Sequence, residues 1–131
     1  MSDRQASNYD HFDSLQKTPS GIPGFDEITG GGLPKGRSTL VCGDAGAGKT
    51  MFGMQFLVRG VTEGQEPGVF VAFEETEADL KKNVASLGWD LDGLCEEKRL
   101  AVETVSVSSE EMAEAGQYDL EGLFIRLDAA I

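Results

Sequence analysis

The chain has 131 residues, of which 11 are Lys or Arg and 23 are Asp or Glu, so its formal net charge is −12. A chain of this length buries a core without disulfides, and its two cysteines therefore do not indicate a disulfide framework. The negative charge argues against a nucleic-acid or anionic-membrane surface, because each phosphate approached would add repulsion. The sequence has neither an apolar run of about 18 residues nor a signal peptide, so we expect a cytoplasmic protein without a membrane partner.

The first third of the chain is polar and then rich in turns. Residues 1–14 predict a disordered leader, which leaves residues 15–131 as the domain. The Gly- and Pro-rich stretch 18–36 predicts turns around one short amphipathic piece, Phe25–Ile28. Residues 38–42 are apolar and rich in β-branched side chains, and they predict a buried strand.

Helices and strands are predicted to alternate after this strand. The apolar spacing from Lys49 to Arg59 predicts a helix that ends at Gly60 and packs on a sheet. Val69–Phe73 predicts a second buried strand, and Thr76 predicts the cap of a helix with Leu80, Val84 and Leu87 on its apolar face and Gly88 at its end. This order is typical of an α/β fold with a parallel sheet flanked by helices.

The second half of the chain carries most of the acidity. Residues 66–131 contain sixteen acidic and five basic residues, which form either a solvated face or an acidic docking surface. Leu100–Val105 predicts a third strand, and residues 106–118 an acidic loop. A final helix is predicted after an Asp119 cap, with an apolar stripe made of Leu120, Leu123, Phe124, Leu127 and Ile131.

The segment Gly43–Thr50 matches the phosphate-binding pattern G-x-x-x-x-G-K-[ST] at every fixed position. Gly43, Gly46, Ala47 and Gly48 would turn backbone N–H groups toward phosphate oxygens, at the start of the predicted helix. Lys49 would reach the β- and γ-phosphates, and the hydroxyl of Thr50 would ligate Mg²⁺. The alternative is a Gly-rich turn with an exposed lysine, which does not explain the coincidence of the fixed positions.

Hydrolysis also requires a group that orients or deprotonates water. Glu74 and Glu75 follow the second predicted strand, at the edge of the sheet where ligands bind in doubly wound folds. Adjacent strand residues point to opposite faces, so we expect Glu74 to act and Glu75 to support it. The alternative is that both are strand-end charges that favour the following helix.

These segments resemble the KaiC-like branch of the RecA superfamily. The resemblance runs over residues 18–131 and rests on residues 18–26, 31–41 and 66–76, the phosphate-binding loop, and residues 87–91 and 118–120. It implies a RecA-like P-loop ATPase that binds ATP and Mg²⁺ and forms a hexameric ring with nucleotide at the subunit interfaces. It also implies Ser/Thr autokinase activity in the intact protein.

The resemblance further implies roles for particular residues. It assigns nucleotide contacts to Gly46 through Met51, places Ser86 near the nucleotide, and makes Glu74 and Glu75 the catalytic carboxylates. A RecA-like domain continues beyond the helix at Ile131, so we expect a truncated domain that binds ATP weakly and turns it over poorly.

Two other functions stay open. One is a nucleotide-gated assembly or signalling module with protein partners, in which hydrolysis is incidental. The other is a recombinase-like DNA-dependent ATPase, against which the charge of −12 argues.

Overall fold

The computed structural model describes residues 15–73, 75–105 and 120–131. The chain divides into two compact units, Met1–Phe56 and Leu57–Ile131. The elements in chain order are β1 Lys17–Thr18, α1 Phe25–Ile28, β2 Leu33–Pro34, α2 Lys49–Thr62, β3 Gly68–Phe73, α3 Glu77–Ala85, α4 Leu91–Glu96, β4 Leu100–Val105 and α5 Leu120–Ala130. The predicted leader 1–14 and the predicted loop 106–118 lie outside the described residues, as does Asp119.

A short antiparallel pair, β1 with β2, closes the Gly- and Pro-rich stretch of the first unit. Gly32 precedes β2 with a φ of +114°, and a Cβ atom there would lie 2.1 Å from the carbonyl oxygen of Thr18. Only glycine allows this approach of two backbones. Helix α1 lies between the two strands in the chain, and it is the short amphipathic piece expected from the sequence. It forms one helical turn.

The predicted strand Ser38–Cys42 is wrong. These residues adopt no regular structure and are exposed, and Leu40 keeps 87% of its surface accessible. An apolar strand is buried only where neighbouring strands and a covering layer exist. In the described part of the first unit the strands are the two-residue β1 and β2, and these pair with each other.

Helix α2 begins at Lys49 as predicted but continues past Gly60 to Thr62. Glycine inside a helix costs only about 1 kcal/mol, and apolar contacts on both sides of Gly60 offset that cost. Met54, Val58 and Val61, at spacings of four and three, are all buried, so the apolar face extends beyond the glycine.

The second unit contains a parallel strand pair, β3 with β4, which confirms the second and third predicted strands. Their register runs from Gly68 opposite Leu100 to Phe73 opposite Val105. Helices α3 and α4 connect the two strands, as the β-α-β order predicts. The buried side chains of this unit outside α2 are Ala72, Leu80, Val84, Leu91, Leu100 and Val105 among the described residues.

The helix predicted after Thr76 is confirmed as α3, although one of its predicted apolar positions is not buried. Leu80 and Val84 are buried, but the helix ends at Ala85 and Leu87 is half exposed. The chain then turns at Gly88, which has a φ of +80°. Helix α5 is also confirmed; Phe124 and Ile131 of its apolar stripe are exposed. Among the described residues, no helix is long and apolar enough to cross a membrane.

Candidate functional site

The loop Gly43–Gly48 leads directly into α2 and lies within the first unit. Gly46 and Gly48 have φ values of +82° and +97°, and the N–H of Ala47 donates to the carbonyl oxygen of Asp44 at 3.0 Å. No atom lies within 4 Å of a Cβ built at either glycine, so open space surrounds the turn. The glycines are therefore required for the backbone conformation, and the space beside them is free for a ligand.

Lys49, the first residue of α2, folds back over this loop. Its Nζ donates to the carbonyl oxygen of Gly43 and, at 3.2 Å, to that of Asp44. The side chain is otherwise exposed. The ammonium group is thus held beside the loop, where it adds positive charge to the positive end of the helix dipole.

Thr50 and Met51 follow in the first turn of α2 and are half-buried. The N–H of Phe52 donates to the carbonyl oxygen of Gly48 at 2.9 Å, so regular helical bonding starts at the last glycine of the loop. The N–H groups of the three preceding residues, Lys49 to Met51, belong to the first turn of α2 and have no acceptor within the helix. These N–H groups and the Lys49 ammonium are hydrogen-bond donors of the kind that phosphate oxygens accept. The Thr50 hydroxyl is an oxygen ligand of the kind that Mg²⁺ takes.

The predicted carboxylates are in the second unit. Glu75 is half-buried in the segment between β3 and α3, and Glu74 lies outside the described residues. Both glutamates were expected at the end of a strand that neighbours the strand before the loop, but residues 38–42 form no strand and β3 pairs with β4. Their proximity to the loop therefore stays a prediction.

Ser86, also in the second unit, forms the C-terminal cap of α3. Its hydroxyl is exposed and donates to the carbonyl oxygen of Asn83 at 2.6 Å. The residue thus has a local structural partner, and its predicted contact with nucleotide remains untested.

Sequence reasoning missed a second cluster in the first unit, around Asp26. The carboxylate accepts the Ser20 hydroxyl at 2.6 Å and the N–H groups of Ser20 and Gly21 at 2.9 and 3.1 Å. These bonds, the Ser20 hydroxyl first, hold the pKa of Asp26 below its ordinary value of 3.8. The signal in the sequence was an acid six residues after a serine in a turn-rich stretch, where backbone N–H groups need acceptors.

One aromatic contact connects this cluster with the loop's helix. The rings of Phe25 in α1 and Phe52 in α2 meet edge to face, with centroids 5.1 Å apart and planes inclined by 80°. Within the described ranges, no group of three His, Cys, Asp or Glu side chains is arranged to hold a metal ion.

Comparison with known proteins identifies the family of the chain. A family model described as "ATPase: KaiC" matches residues 18–131. The chain is 58% identical over 118 residues to the circadian clock protein KaiC2 of Synechocystis sp., which covers 90% of this chain and 21% of that protein. It is 44% identical over 131 residues to the circadian clock oscillator protein KaiC of Prochlorococcus marinus, covering 100% of this chain and 26% of that protein.

A third relative, the oscillator protein KaiC of Synechococcus elongatus, is 46% identical over 125 residues, which is 95% of this chain and 24% of that protein. The chain thus spans about a quarter of the length of these relatives. The family match, which extends from the Gly- and Pro-rich stretch through α5, confirms the resemblance read from the sequence. The chain belongs to the KaiC ATPase family.

Proposed function

We propose that this chain is the nucleotide-binding part of an ATP-hydrolysing KaiC-like domain. The observation that carries the proposal is the loop Gly43–Gly48 with its open side, beside the Lys49 ammonium at the start of α2. The family match supports ATP as the nucleotide.

The second half of the loop and the first turn of α2 then have defined roles. The N–H group of Ala47 leaves the carbonyl oxygen of Asp44 and, with those of Gly46 and Gly48, donates to phosphate oxygens. The N–H groups of the first turn of α2, including that of Met51, donate to the same phosphates. Lys49 leaves its carbonyl partners to neutralise the β- and γ-phosphates, and the Thr50 hydroxyl ligates Mg²⁺. When bound, Mg²⁺ compensates the charge that these phosphates share.

Two carboxylates and one hydroxyl complete the proposed site. Glu74 orients the attacking water and accepts its proton, while Glu75 holds Glu74 in place. Ser86 borders the nucleotide. These roles rest on the resemblance to the family.

The intact protein is proposed to be a cytoplasmic hexameric ring with ATP at its subunit interfaces. Ser/Thr autokinase activity and protein signalling partners are part of the same proposal. These proposals rest on the resemblance to the KaiC-like family, whose matched members are named as circadian clock proteins.

The first test removes the ammonium with Lys49→Ala. We expect binding of a fluorescent ATP analogue with Mg²⁺ to weaken at least tenfold, because a charge-assisted contact to phosphate is lost. Lys35→Ala is the matched control, since Lys35 is an exposed lysine of the same unit outside the loop. Equal affinity of the Lys49 and Lys35 variants, or no binding by the unmodified chain, would contradict nucleotide binding at this loop.

A second test separates hydrolysis from nucleotide-gated assembly. In the full-length protein, Glu74→Gln should lower the rate of ATP turnover about 100-fold or more, because a general base contributes that much. The affinity for ATP should stay unchanged. Glu75→Gln should reduce turnover less. Turnover is followed by phosphate release, and assembly by size-exclusion chromatography with ATP; undiminished turnover in Glu74→Gln would exclude the assigned role.

A further inference from the structure

We propose that Phe25 is a positioning residue for nucleotide binding and acts through Phe52 on the first turn of α2. The inference deepens the proposed function, on which it rests. It starts from the edge-to-face contact of the two rings at 5.1 Å, a geometry that favours a defined ring orientation over free sliding.

The Phe25 side of the contact is anchored by hydrogen bonds. Asp26, its neighbour in α1, accepts three donors from Ser20 and Gly21, and Ser20 is fully buried. The N–H of Phe25 itself donates to the carbonyl oxygen of Ile22 at 3.1 Å. A helix of one turn has little stability of its own, so these bonds fix the direction in which the Phe25 ring projects.

The Phe52 side is connected to the phosphate-binding loop. Phe52 stands three residues after Lys49, and its N–H bonds the carbonyl oxygen of Gly48, the glycine that ends the loop. Its side chain also borders a cavity of about 350 Å³ together with Phe56 and Leu33. Phe52 is therefore not enclosed by packing on every side, and loss of the Phe25 ring would let it shift together with the start of α2.

The consequence concerns affinity. The loop's N–H groups and Lys49 must converge on the same phosphates, and small displacements of such a donor set weaken each bond. A contact that fixes the first turn of α2 in advance removes part of the ordering cost of binding. Phe25 would thus raise the affinity for nucleotide without touching it.

The test compares Phe25→Leu, Phe25→Tyr and a control, Ile28→Ala, in titrations of the chain with a fluorescent ATP analogue and Mg²⁺. Ile28 lies in the same helix and is 83% exposed. We expect Phe25→Leu to raise the Kd about three- to tenfold at full signal amplitude, because an aromatic pair is worth about that factor. Phe25→Tyr keeps the aromatic ring and should have the Kd of the unmodified chain. Ile28→Ala should also leave the Kd unchanged.

The amplitude distinguishes positioning from loss of structure. If Phe25→Leu only unfolds part of the molecules, the amplitude falls while the Kd of the folded remainder stays constant, and the inference is overturned. An unchanged Kd at full amplitude overturns it as well. Absence of binding by the unmodified chain contradicts the proposed function instead.

A double-mutant cycle tests whether the effect passes through Phe52. If Phe25→Leu and Phe52→Leu act through one contact, the double variant should bind about as weakly as the weaker single variant. Multiplication of the two single effects would show that Phe25 acts by another route and would overturn the inference.

Discussion

At the scale of single residues, two charged side chains of the first unit bind backbone groups of opposite polarity. Asp26 accepts two N–H groups, and Lys49 donates to two carbonyl oxygens. The position of Lys49 at the end of the loop follows from a pattern of eight adjacent residues, and its contact with phosphates stays a prediction. The role of Asp26 was not predictable, because its partners are set by a turn that folds the chain back over six residues.

The lowered pKa of Asp26 makes a prediction about stability and pH. A carboxylate whose pKa is lower in the folded than in the unfolded state stabilises the fold above its ordinary pKa of 3.8. That contribution is lost as the pH falls through the lowered value. Asp26→Asn should therefore decrease the urea midpoint at pH 7, and the difference from the unmodified chain should shrink as the pH falls below 3.8.

Urea unfolding at a series of pH values, followed by circular dichroism, measures this difference. Glu27→Gln is the control, because Glu27 is an exposed acid in the same helix. A midpoint difference for Asp26→Asn that is the same at pH 7 and at the most acidic pH would contradict the assignment.

At the scale of elements, α3 is the helix that the sequence described best. Thr76 caps it: its hydroxyl oxygen accepts the N–H of Asp79 at 3.1 Å and donates its proton to the Asp79 carboxylate at 2.8 Å. Such caps are local, since both partners lie within one turn. The C-terminal end of α3 was predicted less well: Leu87 is exposed, because the end of a helix also depends on which residues pack against it.

Removal of this cap should have a measurable cost. Thr76→Ala should lower the free energy of unfolding by about 1 kcal/mol, because one N–H of the first turn loses its acceptor. Thr76→Ser keeps the oxygen and should cost much less. Chemical denaturation of the three proteins checks this, and equal losses for Ala and Ser would show that the methyl group, not the hydroxyl, matters.

At the scale of the whole molecule, the segment 38–42 has the sequence of a buried strand and yet is exposed. The strands β3 and β4, which have equally apolar sequences, pair with each other. The difference is a matter of partners, because a strand satisfies its backbone only through a neighbour. This is why the strands at residues 69–73 and 100–105 were predicted correctly and the strand at residues 38–42 was not.

The reactivity of the two cysteines tests whether the segment 38–42 is exposed. Cys42 is exposed in the segment, whereas Cys95 is half-buried in α4, where burial and then the Glu77 carboxylate raise the pKa of its thiol. A raised pKa leaves less thiolate at pH 8 and burial limits access to the thiol, so Cys95 should react with DTNB more slowly than the exposed Cys42. The variants Cys42→Ser and Cys95→Ser isolate the two rates, and a slow reaction at Cys42 would indicate a buried strand.

The sequence by itself determined the family, the glycine-rich loop before α2, the start of α2 and the two strands of the parallel pair. These features depend on local patterns, in which residue type, spacing and backbone conformation are coupled over a few positions. Only the tertiary structure decided that Ser38–Cys42 forms no strand, that Asp26 organises the turn before α1, and that Phe25 meets Phe52. Those outcomes depend on which distant segments become neighbours, because burial and hydrogen bonding between them are properties of the folded chain.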